Sequence, residues 1–454
     1  MRDHPRLSRE SDHERAVAAL RGQYGAVPAG APVRLAKSTS NLFRFRADQT
    51  GGLDVARFDR VLSVDAAART AQVQGMTTYE HLVDATLPHG LMPLVVPQLK
   101  TITLGGAVAG LGIESSSFRN GLPHESVREL EVMTGDGDGE VVVVGPGDDL
   151  FRGFPNSYGT LGYALRLEIE LEPVKPYVRL RHVPFADAAE CAEVISAVCA
   201  EGSYQGEPVD FIDGTVFSGR EQYLTLANWT DTAPFTSDYT GNGIYYRSIQ
   251  RRSVDYLTVR DYLWRWDTDW FWCSRAFGVQ HPVVRRLVPK RYLRSDVYRK
   301  VVALDRRYRL TARLSKAVQE PVIQDVEIPV DRLAEFLDFF HREIGVSPVW
   351  LCPVRLRDRT GWPLYPMDPD ELYVNVGFWS VVSLRPDEEL GDRNRLIEAK
   401  VTELGGHKSL YSDSYYGEEE FWDNYNGSTY QDLKKRYDPA GRLPDLYAKC
   451  VLRR

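Results

Sequence analysis

Cysteine is scarce in this sequence, and long apolar runs are absent. The five cysteines, at positions 191, 199, 273, 352 and 450, are scattered without a CxxC pair. This favours reduced thiols over a disulfide framework or a zinc site, and we expect no bound metal. No run approaches the roughly 20 apolar residues that a membrane-spanning helix requires. The first residues, MRDHPRLSRESDHERAV, have no apolar core, which predicts neither a secretion signal nor an anchor helix and indicates a cytoplasmic protein.

The length of 454 residues predicts two domains or one domain with a large insertion. Residues 1–176 alternate short β-rich runs with glycine turns, including a predicted hairpin turn at residues 135–139. Residues 177–454 change to helical segments and aromatic clusters, and the prolines of LEPVKPYV mark the boundary. Within the second part, PVDRLAEFLDFFHREIG predicts an amphipathic helix that ends at a glycine. The sequence therefore predicts an α+β fold in both domains.

Residues 103–121, TLGGAVAGLGIESSSFRNG, hold five glycines and four hydroxyl side chains around one carboxylate. Bare backbone lets a flat or phosphorylated ligand approach closely, and consecutive N–H groups can bind an anion. Neither a P-loop GK[ST] nor a GxGxxG that opens a helix after a strand is present. A second segment of small residues, NSYGTLGYALRLEIEL, leads directly into a predicted strand at residues 156–171. A cradle for a phosphorylated cofactor is one interpretation, and a purely structural turn is the other.

The order of these segments resembles the FAD-binding domain of the vanillyl-alcohol oxidase and p-cresol methylhydroxylase superfamily. The resemblance implies a two-subdomain FAD-binding domain, at residues 1–176, followed by an α+β substrate domain that caps it. It also implies that the two segments hold the cofactor. The implied cofactor-binding residues are Thr103, Gly105, Gly106, Gly110, Gly112, Glu114, Ser115, Gly159, Thr160 and Gly162.

One segment departs from that pattern. Where many members have a glycine-rich loop with a histidine bonded to the flavin, this chain has RLAKSTSNLFR at residues 34–44, with neither Gly nor His. We therefore expect FAD to be bound noncovalently. Polar side chains in this segment can still contact phosphate oxygens, and they are Lys37, Ser38, Thr39, Ser40 and Asn41.

A closer resemblance is to the Δ24-sterol reductase branch of that superfamily. It is carried by GLGIESSSFRNGL and by later blocks at residues 346–356, 371–379 and 410–437, and it covers about residues 50–452. It implies FAD-dependent reduction of an isolated carbon–carbon double bond in a lipid, with NADPH as electron donor. One known role of bacterial relatives is the reduction of a 10-methylene fatty acyl group, which a methyltransferase produces, to a 10-methyl branch, and the resemblance implies this reaction as the leading interpretation. The alternatives are Δ24 reduction of a sterol side chain, an FAD-dependent alcohol oxidase, and a lipid-surface scaffold with a degenerate flavin site.

Reduction of an unactivated alkene needs a proton donor in an apolar, water-excluding pocket. The segment YSDSYYGEEEFW offers Tyr411, Asp413 and Tyr415, which strand alternation would place on one face. Because the resemblance aligns a tyrosine there, Tyr415 is the preferred acid, with Tyr411, Asp413 and Glu114 as alternatives. Asn375, in LYVNVGF, could face the flavin. The alternative interpretation is that these side chains have only a structural role in packing.

The run from residue 259 to 273 is unusually rich in tryptophan, and the segment after it is strongly basic. Residues 281–316 hold twelve Lys or Arg and two acids, so this window carries +10 in a chain of −7. We expect a lipid-facing segment at residues 255–316 that docks peripherally on an anionic membrane, at the inner face of the cell membrane. No nucleic acid is expected, because no reader motif accompanies the charge. For the tryptophans the alternatives are core packing and the wall of a lipid pocket. For the basic window they are a solvated helix face, a phosphate-bearing acyl carrier and the 2′-phosphate of NADPH. The candidate residues are Trp264, Trp266, Trp270, Trp272, Arg285, Arg286, Lys290 and Arg291.

Overall fold

The computed structural model describes residues 5–37, 42–44, 51–241, 243–308 and 318–454, and within them helices and sheets are mixed, which confirms the α+β class. The strands are β1 Leu35–Ala36, β2 Leu53–Asp54, β3 Val61–Asp65, β4 Thr70–Gln74, β5 Leu91–Pro93, β6 Val127–Met133, β7 Val141–Val144, β8 Tyr163–Pro173, β9 Tyr177–Phe185, β10 Ser203–Tyr204, β11 Glu207–Pro208, β12 Phe211–Ser218, β13 Glu221–Thr230, β14 Val254–Thr258, β15 Gln319–Pro329, β16 Val349–Val354, β17 Tyr373–Ser383 and β18 His407–Lys408. The helices are α1 Pro5–Gly25, α2 Tyr79–Thr86, α3 Leu104–Ala109, α4 Ser117–Asn120, α5 Asp149–Gly153, α6 Ala188–Glu201, α7 Tyr245–Ile249, α8 Val259–Leu263, α9 Pro282–Leu287, α10 Ser295–Tyr308, α11 Leu333–Glu343, α12 Asp392–Glu403, α13 Glu418–Asn424, α14 Gly427–Tyr437 and α15 Leu446–Cys450.

The first main sheet is antiparallel and has the strand order β3–β4–β8–β6–β7, with β5 paired to β8. Strands β6 and β7 form a hairpin around residues 135–139, as the sequence predicts, and Gly137 and Gly139 there adopt positive φ. The central strand β8 alternates buried and half-buried residues along its length. Helix α3, which carries the glycine-rich segment, packs against β8.

The second main sheet has the order β14–β9–β13–β12–β16–β17–β15–β18. Leu351, Val376 and Val326 are paired across β16, β17 and β15, and their side chains join an apolar core with α6, α11 and α12. Because successive strand residues point to opposite faces, their neighbours Trp350 and Asp325 turn to the other face. This second face is the one that looks toward the first sheet.

The chain passes from the first sheet to the second between the end of β8 at Pro173 and the start of β9 at Tyr177. The last part of the chain then returns to the first sheet. Helix α14 packs against α5, and Lys434 Nζ donates to the carbonyl of Thr160 at 2.8 Å. The amide of Val33 donates to the carbonyl of Arg442 at 2.7 Å. Residues 177–454 are thus not one continuous unit, because their C-terminal part completes the first.

The predicted amphipathic helix is confirmed as α11, whose buried face includes Phe336 and Phe340 and which is followed by Gly345 at φ 70°. Among the described helices we find none with the combination of length and apolar character that crossing a bilayer would require.

Candidate active site

A cleft lies between the two main sheets. Its first wall is glycine-rich backbone from α3, from the turn that follows α3, and from the segment that enters β8. The predicted cofactor-binding residues that line it are Lys37, Thr103, Gly105, Gly106, Gly110, Gly112, Gly159 and Gly162.

The two adjacent glycines of α3 serve different purposes. A Cβ at Gly105 would lie 2.7 Å from the carbonyl oxygen of Gly75, so this glycine allows the helix to approach the first sheet closely. Gly106 is instead exposed on the cleft side, and its N–H donates to Oγ1 of Thr103, the N-cap of α3, at 3.3 Å. Its lack of a side chain leaves space for a ligand against the helix backbone.

Cationic side chains also line the cleft. Arg44 is only 4 % exposed, and its guanidinium lies 5.1 Å from the ring centroid of Tyr158. One guanidinium nitrogen donates to the carbonyl of Lys449, but Nε and Nη2 have no partner among the described residues. A buried cation with unsatisfied donors favours an anionic ligand. The glycine wall and this arginine therefore fit a phosphate-bearing flavin cofactor. The cations on the cleft are Arg34, Lys37, Arg44, Lys449, Arg453 and Arg454.

The opposite wall of the cleft is aromatic. Phe271 stacks on Trp379 with ring centroids 4.2 Å apart, and Trp350 meets Phe271 edge-on at 5.4 Å. Trp270 stacks on Phe43, which belongs to the short described stretch 42–44. Trp270 and Phe271 both adopt positive φ, 46° and 59°, which is unusual for bulky residues. Strained backbone of this kind persists where the surrounding structure holds a wall in place.

A carboxyl group stands within this aromatic wall. Strand pairing sets Trp350, Gly377 and Asp325 side by side across β16, β17 and β15. A Cβ at Gly377 would lie 2.5 Å from Asp325 Oδ1, so the bare backbone of Gly377 makes room for the carboxyl group. Asp325 reaches the cleft but is enclosed by protein, and burial raises its pKa to about 7, with Asn375 and Tyr411 partly opposing the shift.

Tyr411 is one of the predicted acid candidates that the structure places at the cleft. Its hydroxyl accepts a hydrogen bond from Nε1 of Trp379 at 3.0 Å, and its backbone carbonyl accepts from the amide of Phe43 at 2.9 Å. Burial, reinforced by the nearby Asp325 carboxyl, raises the pKa of Tyr411 well above its ordinary value. Tyr411 is therefore a neutral phenol that joins the aromatic wall to the 42–44 stretch.

The expectation that Tyr411, Asp413 and Tyr415 share one face of a strand is wrong, because residues 409–417 form no strand. The ring of Tyr415 packs against Gly391, and its hydroxyl accepts from Arg453 Nη2 at 3.4 Å. Asp413 is 3.6 Å from the same guanidinium. Neither Tyr415 nor Asp413 lines the cleft, so the structure does not support either as an acid within it.

Glu114 and Ser115 also lie behind the cleft wall rather than on it. Glu114 Oε1 accepts from Arg265 Nη2 at 3.0 Å, and the same nitrogen donates to Asp213 Oδ2 at 2.8 Å. The Ser115 hydroxyl is 2.8 Å from that of Tyr262. Both predicted residues thus attach the glycine-rich segment to the second sheet, and the structure does not support Glu114 as the acid.

The remaining predicted residues of this group lie elsewhere. Thr160 is fully buried, and its hydroxyl donates to the carbonyl of Ser157 at 2.8 Å. Asn375 is buried on the same face of β17 as Gly377, one pair along, and its amide atoms have no hydrogen-bond partner among the described residues. It does not line the cleft. Four further predicted contacts, Ser38, Thr39, Ser40 and Asn41, lie outside the described residues.

The tryptophan cluster divides between the core and the cleft. Trp264 and Trp266 are each 1 % exposed, and Nε1 of Trp266 donates to Asp213 Oδ2 at 3.1 Å. Trp272 packs behind the cleft, 5.6 Å from Trp379. Only Trp270 of the four lines the cleft. A membrane-interface position is therefore wrong for all four, since each is at most 6 % exposed.

Of the four predicted basic residues, one is buried and three are exposed. Arg285 is buried, with Nη1 2.6 Å from Asp269 Oδ1 and two further donors on the carbonyls of Gly241 and Gly243. Its assignment to a membrane-facing group is wrong, because its charge is already neutralised. Arg286, Lys290 and Arg291 are exposed.

Asp325 and Arg44 line the cleft but were not predicted from the sequence. The sequence signal for Asp325 is an acid between apolar residues inside PVIQDVEIP, where one strand face carries Val322, Val326 and Ile328 and the other carries Asp325 and Glu327. For Arg44, no sequence pattern distinguishes it from the many surface arginines.

Comparisons with known proteins agree with this geometry. The family model described as "FAD binding domain" matches residues 22–145. The Delta(24)-sterol reductase of Homo sapiens is 27% identical over 405 residues, which cover 86% of this chain and 75% of the relative. The enzyme of the same name from Arabidopsis thaliana is 27% identical over 442 residues, 87% of this chain and 76% of the relative. A Decaprenylphosphoryl-beta-D-ribose oxidase from Mycolicibacterium smegmatis is 30% identical over 145 residues, 31% of each chain.

The FAD binding match falls on the part of the chain that supplies most of the glycine wall, and the longer matches extend through the aromatic wall. The chain is an FAD-dependent oxidoreductase that carries an FAD binding domain and is similar to Delta(24)-sterol reductases over most of its length.

Proposed function

We propose that this protein reduces an isolated carbon–carbon double bond within a lipid, and that its substrate is a 10-methylene fatty acyl group, which becomes a 10-methyl branch. The proposal is carried by one observation: the glycine-rich wall and the aromatic wall, with its single described carboxyl group, line the same cleft. A cofactor on the first wall would face an apolar pocket on the second.

The chemistry of such an alkene explains why this pocket suits it. No carbonyl polarises the double bond, so protonation at the CH₂ end must come first, and it leaves a tertiary cation. The faces of Trp379, Phe271 and Trp350 offer the negative π-density that stabilises a cation. The same rings exclude water, which would otherwise capture it. FAD, when bound, would supply hydride chemistry at this point.

The residues that would hold FAD noncovalently are those of the glycine wall together with the cleft cations. Gly106 leaves backbone accessible, and Arg44 has unsatisfied donors for an anionic group. The described part of the 34–44 segment contains no histidine that could bond to the flavin. We propose NADPH as the electron donor, because two electrons must enter the site for each alkene reduced.

A sterol side chain with a Δ24 double bond is the second candidate substrate. It is favoured by the matches to Delta(24)-sterol reductases, which run through most of this chain. Protonation of this trisubstituted alkene also gives a tertiary cation, so the same pocket chemistry applies.

The proposed function is tested by following the flavin spectrum in an anaerobic stopped-flow experiment. The FAD-loaded protein is reduced with NADPH and then mixed with vesicles that contain either a 10-methylene phospholipid or a Δ24 sterol. Reoxidation by the methylene lipid, with the methyl-branched product found by mass spectrometry, is the expected result. Reoxidation by the sterol alone would select the second candidate. Reoxidation only when oxygen is admitted would contradict both and indicate an oxidase.

We also propose that the protein docks on an anionic membrane surface at the cytoplasmic face, where a lipid methyltransferase could supply the methylene substrate. The docking site is the apolar–basic patch on α9, α10 and the segment between them. Its exposed apolar side chains are Val283, Val284, Leu287, Tyr292, Val301 and Leu304. Exposed cations, including Arg286, Arg291 and Lys300, stand among them. Apolar side chains that enter the headgroup region, together with cations that meet lipid phosphates, are typical of peripheral docking.

A single layer of packed side chains separates this patch from the cleft. Phe277 stacks on Tyr298 of α10 at 5.2 Å, and the Tyr298 hydroxyl donates to the carbonyl of Thr268 at 3.0 Å. Thr268 lies two residues before Trp270 in the cleft wall. A lipid released from the bilayer would thus be close to the aromatic pocket.

Membrane docking is tested by vesicle sedimentation with a triple variant, Arg286→Glu, Arg291→Glu and Lys300→Glu. Each well-placed cation contributes about 1 kcal/mol, so the triple variant should lose binding to anionic vesicles by roughly two orders of magnitude or more. The matched control makes the same charge change at exposed sites elsewhere, with Arg342→Glu, Arg385→Glu and Lys435→Glu. Equal loss in both variants, or equal binding of the wild type to neutral vesicles, would contradict the proposed patch.

A further inference from the structure

We propose that Asp325 is the proton donor to the alkene, a role that rests on the proposed function. Among the described residues it is the only Asp or Glu that lines the cleft. It lies on β15 within the aromatic wall, and not on the 410–416 segment where sequence reasoning looked for the acid.

The position of Asp325 is fixed by the sheet. Pairing across three strands places its carboxyl group over the bare backbone of Gly377, with Trp350 on the far side. The next residue of β17 on that face, Trp379, donates to the Tyr411 hydroxyl. The carboxyl group is therefore held by strands rather than by a mobile loop, which is the kind of support that a proton donor needs.

The carboxyl group is also suited to carry a proton at neutral pH. Its enclosure in an apolar site raises its pKa to about 7, so that a large fraction is protonated when the protein works near neutrality. Asp325 Oδ1 makes no hydrogen bond of normal geometry with a described residue, and the nearby Asn375 and Tyr411 side chains offset the rise in its pKa only in part. No described cation contributes to the pKa of Asp325, so no neighbouring positive charge favours its ionised form.

The other buried acids near the cleft are engaged elsewhere. Asp213 and Glu114 share the guanidinium of Arg265. Glu327 lies two residues along β15 and is bonded to the Tyr365 hydroxyl. Burial, with the neighbouring Asp325 adding to it, raises the pKa of Glu327 well above its ordinary value. Glu327 is thus a neutral group that is hydrogen-bonded outside the cleft, which makes it a natural control.

The O–H bond of Asp325 breaks, a C–H bond forms at the CH₂ carbon of the alkene, and the electron pair of the double bond makes that bond. The tertiary carbon is left as a cation, and FAD, when bound and reduced with two electrons from NADPH, would supply the hydride that this carbon needs. The Asp325 carboxylate regains a proton from water. The net change is one alkene reduced for each NADPH oxidised, with one proton consumed.

The test compares Asp325→Asn with Glu327→Gln in two half-reactions. Both variants should keep wild-type FAD content and wild-type reduction by NADPH. Asp325→Asn should slow reoxidation by the lipid by about 10²–10⁴-fold, as is typical when a general acid is lost, whereas Glu327→Gln should change it little. Asp325→Glu should recover part of the rate. Lipid-driven reoxidation of Asp325→Asn at the wild-type rate would overturn the proposal.

A second readout does not depend on activity. Infrared difference spectra of the protein labelled with ¹³C-aspartate should contain a protonated carboxyl band that titrates near pH 7, and this band should be missing from Asp325→Asn. Absence of such a band from the wild type would also overturn the proposal. If neither lipid reoxidises the reduced wild-type enzyme, the proposed function fails instead, whatever the infrared spectra show.

Discussion

Arg265 and Glu114 form a buried ion pair, with Nη2 and Oε1 3.0 Å apart, that joins the segment after α8 to the glycine-rich segment. The same guanidinium contacts Asp213 and stacks on the ring of Tyr262 at 4.1 Å. Burial raises the pKa of Glu114, and the charge of Arg265 opposes that shift. The two sheets that enclose the cleft are thus held together behind its wall by one cation and two carboxylates.

Removal of that cation should destabilise the protein strongly. Arg265→Met leaves Glu114 and Asp213 buried without their partner, and breaking a buried pair in this way typically costs about 3–5 kcal/mol. Urea unfolding followed by tryptophan fluorescence would measure the loss. The control is Arg332→Met, which removes an arginine from an exposed, solvent-screened pair with Glu335 and should leave the unfolding free energy nearly unchanged. Similar losses in the two variants would count against the structural role of Arg265.

FAD binding should depend on the open backbone at Gly106. A leucine there would place its side chain in the cleft and its Cβ 2.7 Å from Thr103 Oγ1, so Gly106→Leu should purify with little flavin. Gly417→Leu is the control, because nothing lies within 4 Å of its Cβ position. Flavin content is read from the visible spectrum. A yellow Gly106→Leu protein with full FAD would place the cofactor elsewhere.

Noncovalent attachment of FAD can be checked on the same material. Acid precipitation should leave all of the flavin in the supernatant, because we expect no covalent bond between the protein and the cofactor. Flavin that stays with the pellet after washing would show a covalent bond.

The open space at Gly377, which the Asp325 carboxyl group occupies, should be needed for rapid reoxidation of the flavin by lipid. Gly377→Ala places a methyl group 2.5 Å from Asp325 Oδ1 and 2.8 Å from the Trp379 ring, so the carboxyl group must move. We expect lipid-driven reoxidation to slow by at least tenfold while reduction by NADPH stays normal. Gly214→Ala is the matched control, since its Cβ would press on Leu224 and Leu351 on the opposite face of the same sheet. An equal effect of both alanines on reoxidation would indicate a general disturbance of the sheet.

The pH dependence of protein stability should also reflect the ionisation of the Asp325 carboxyl group. Its pKa is raised to about 7 in the folded protein, so between its usual value near 4 and 7 the folded state keeps a proton that the unfolded state has released. The free energy of unfolding contributed by this group is therefore largest at low pH and falls as pH rises to 7, by at most about 1.4 kcal/mol per pH unit. The unfolding free energy of the wild type minus that of Asp325→Asn, each measured by urea unfolding, should therefore decrease from pH 5 to pH 8. A difference that is constant across this range would contradict the assignment.

The sequence predicted the residues of the glycine-rich wall better than those of the aromatic wall. Glycines such as Gly106 act through their lack of a side chain, and this property can be seen in the sequence itself. The acid depends instead on which strands are neighbours. Asp325 meets Gly377 and Trp350 only because β15, β17 and β16 pair in a particular register, and that register is set by long-range contacts that the sequence does not display.

The errors in the basic window have a similar cause. Arg285 and Arg286 are adjacent and chemically identical, yet a helix sends them in different directions. Arg285 points inward to Asp269, which lies in a separate turn, while Arg286 is exposed. The number of charges in a segment shows that it is basic, but it does not show which of its cations form ion pairs with buried acids.

The return of the C-terminal part of the chain to the first sheet has a consequence for biosynthesis. Leu35 and Pro444 both line the cleft, and Val33 is bonded to Arg442. The strands of the first sheet can form early on the ribosome, but the cleft cannot close until residues 442–454 have emerged. Flavin loading is therefore a late event, and nascent chains stalled before that point should remain colourless even when their first sheet has folded.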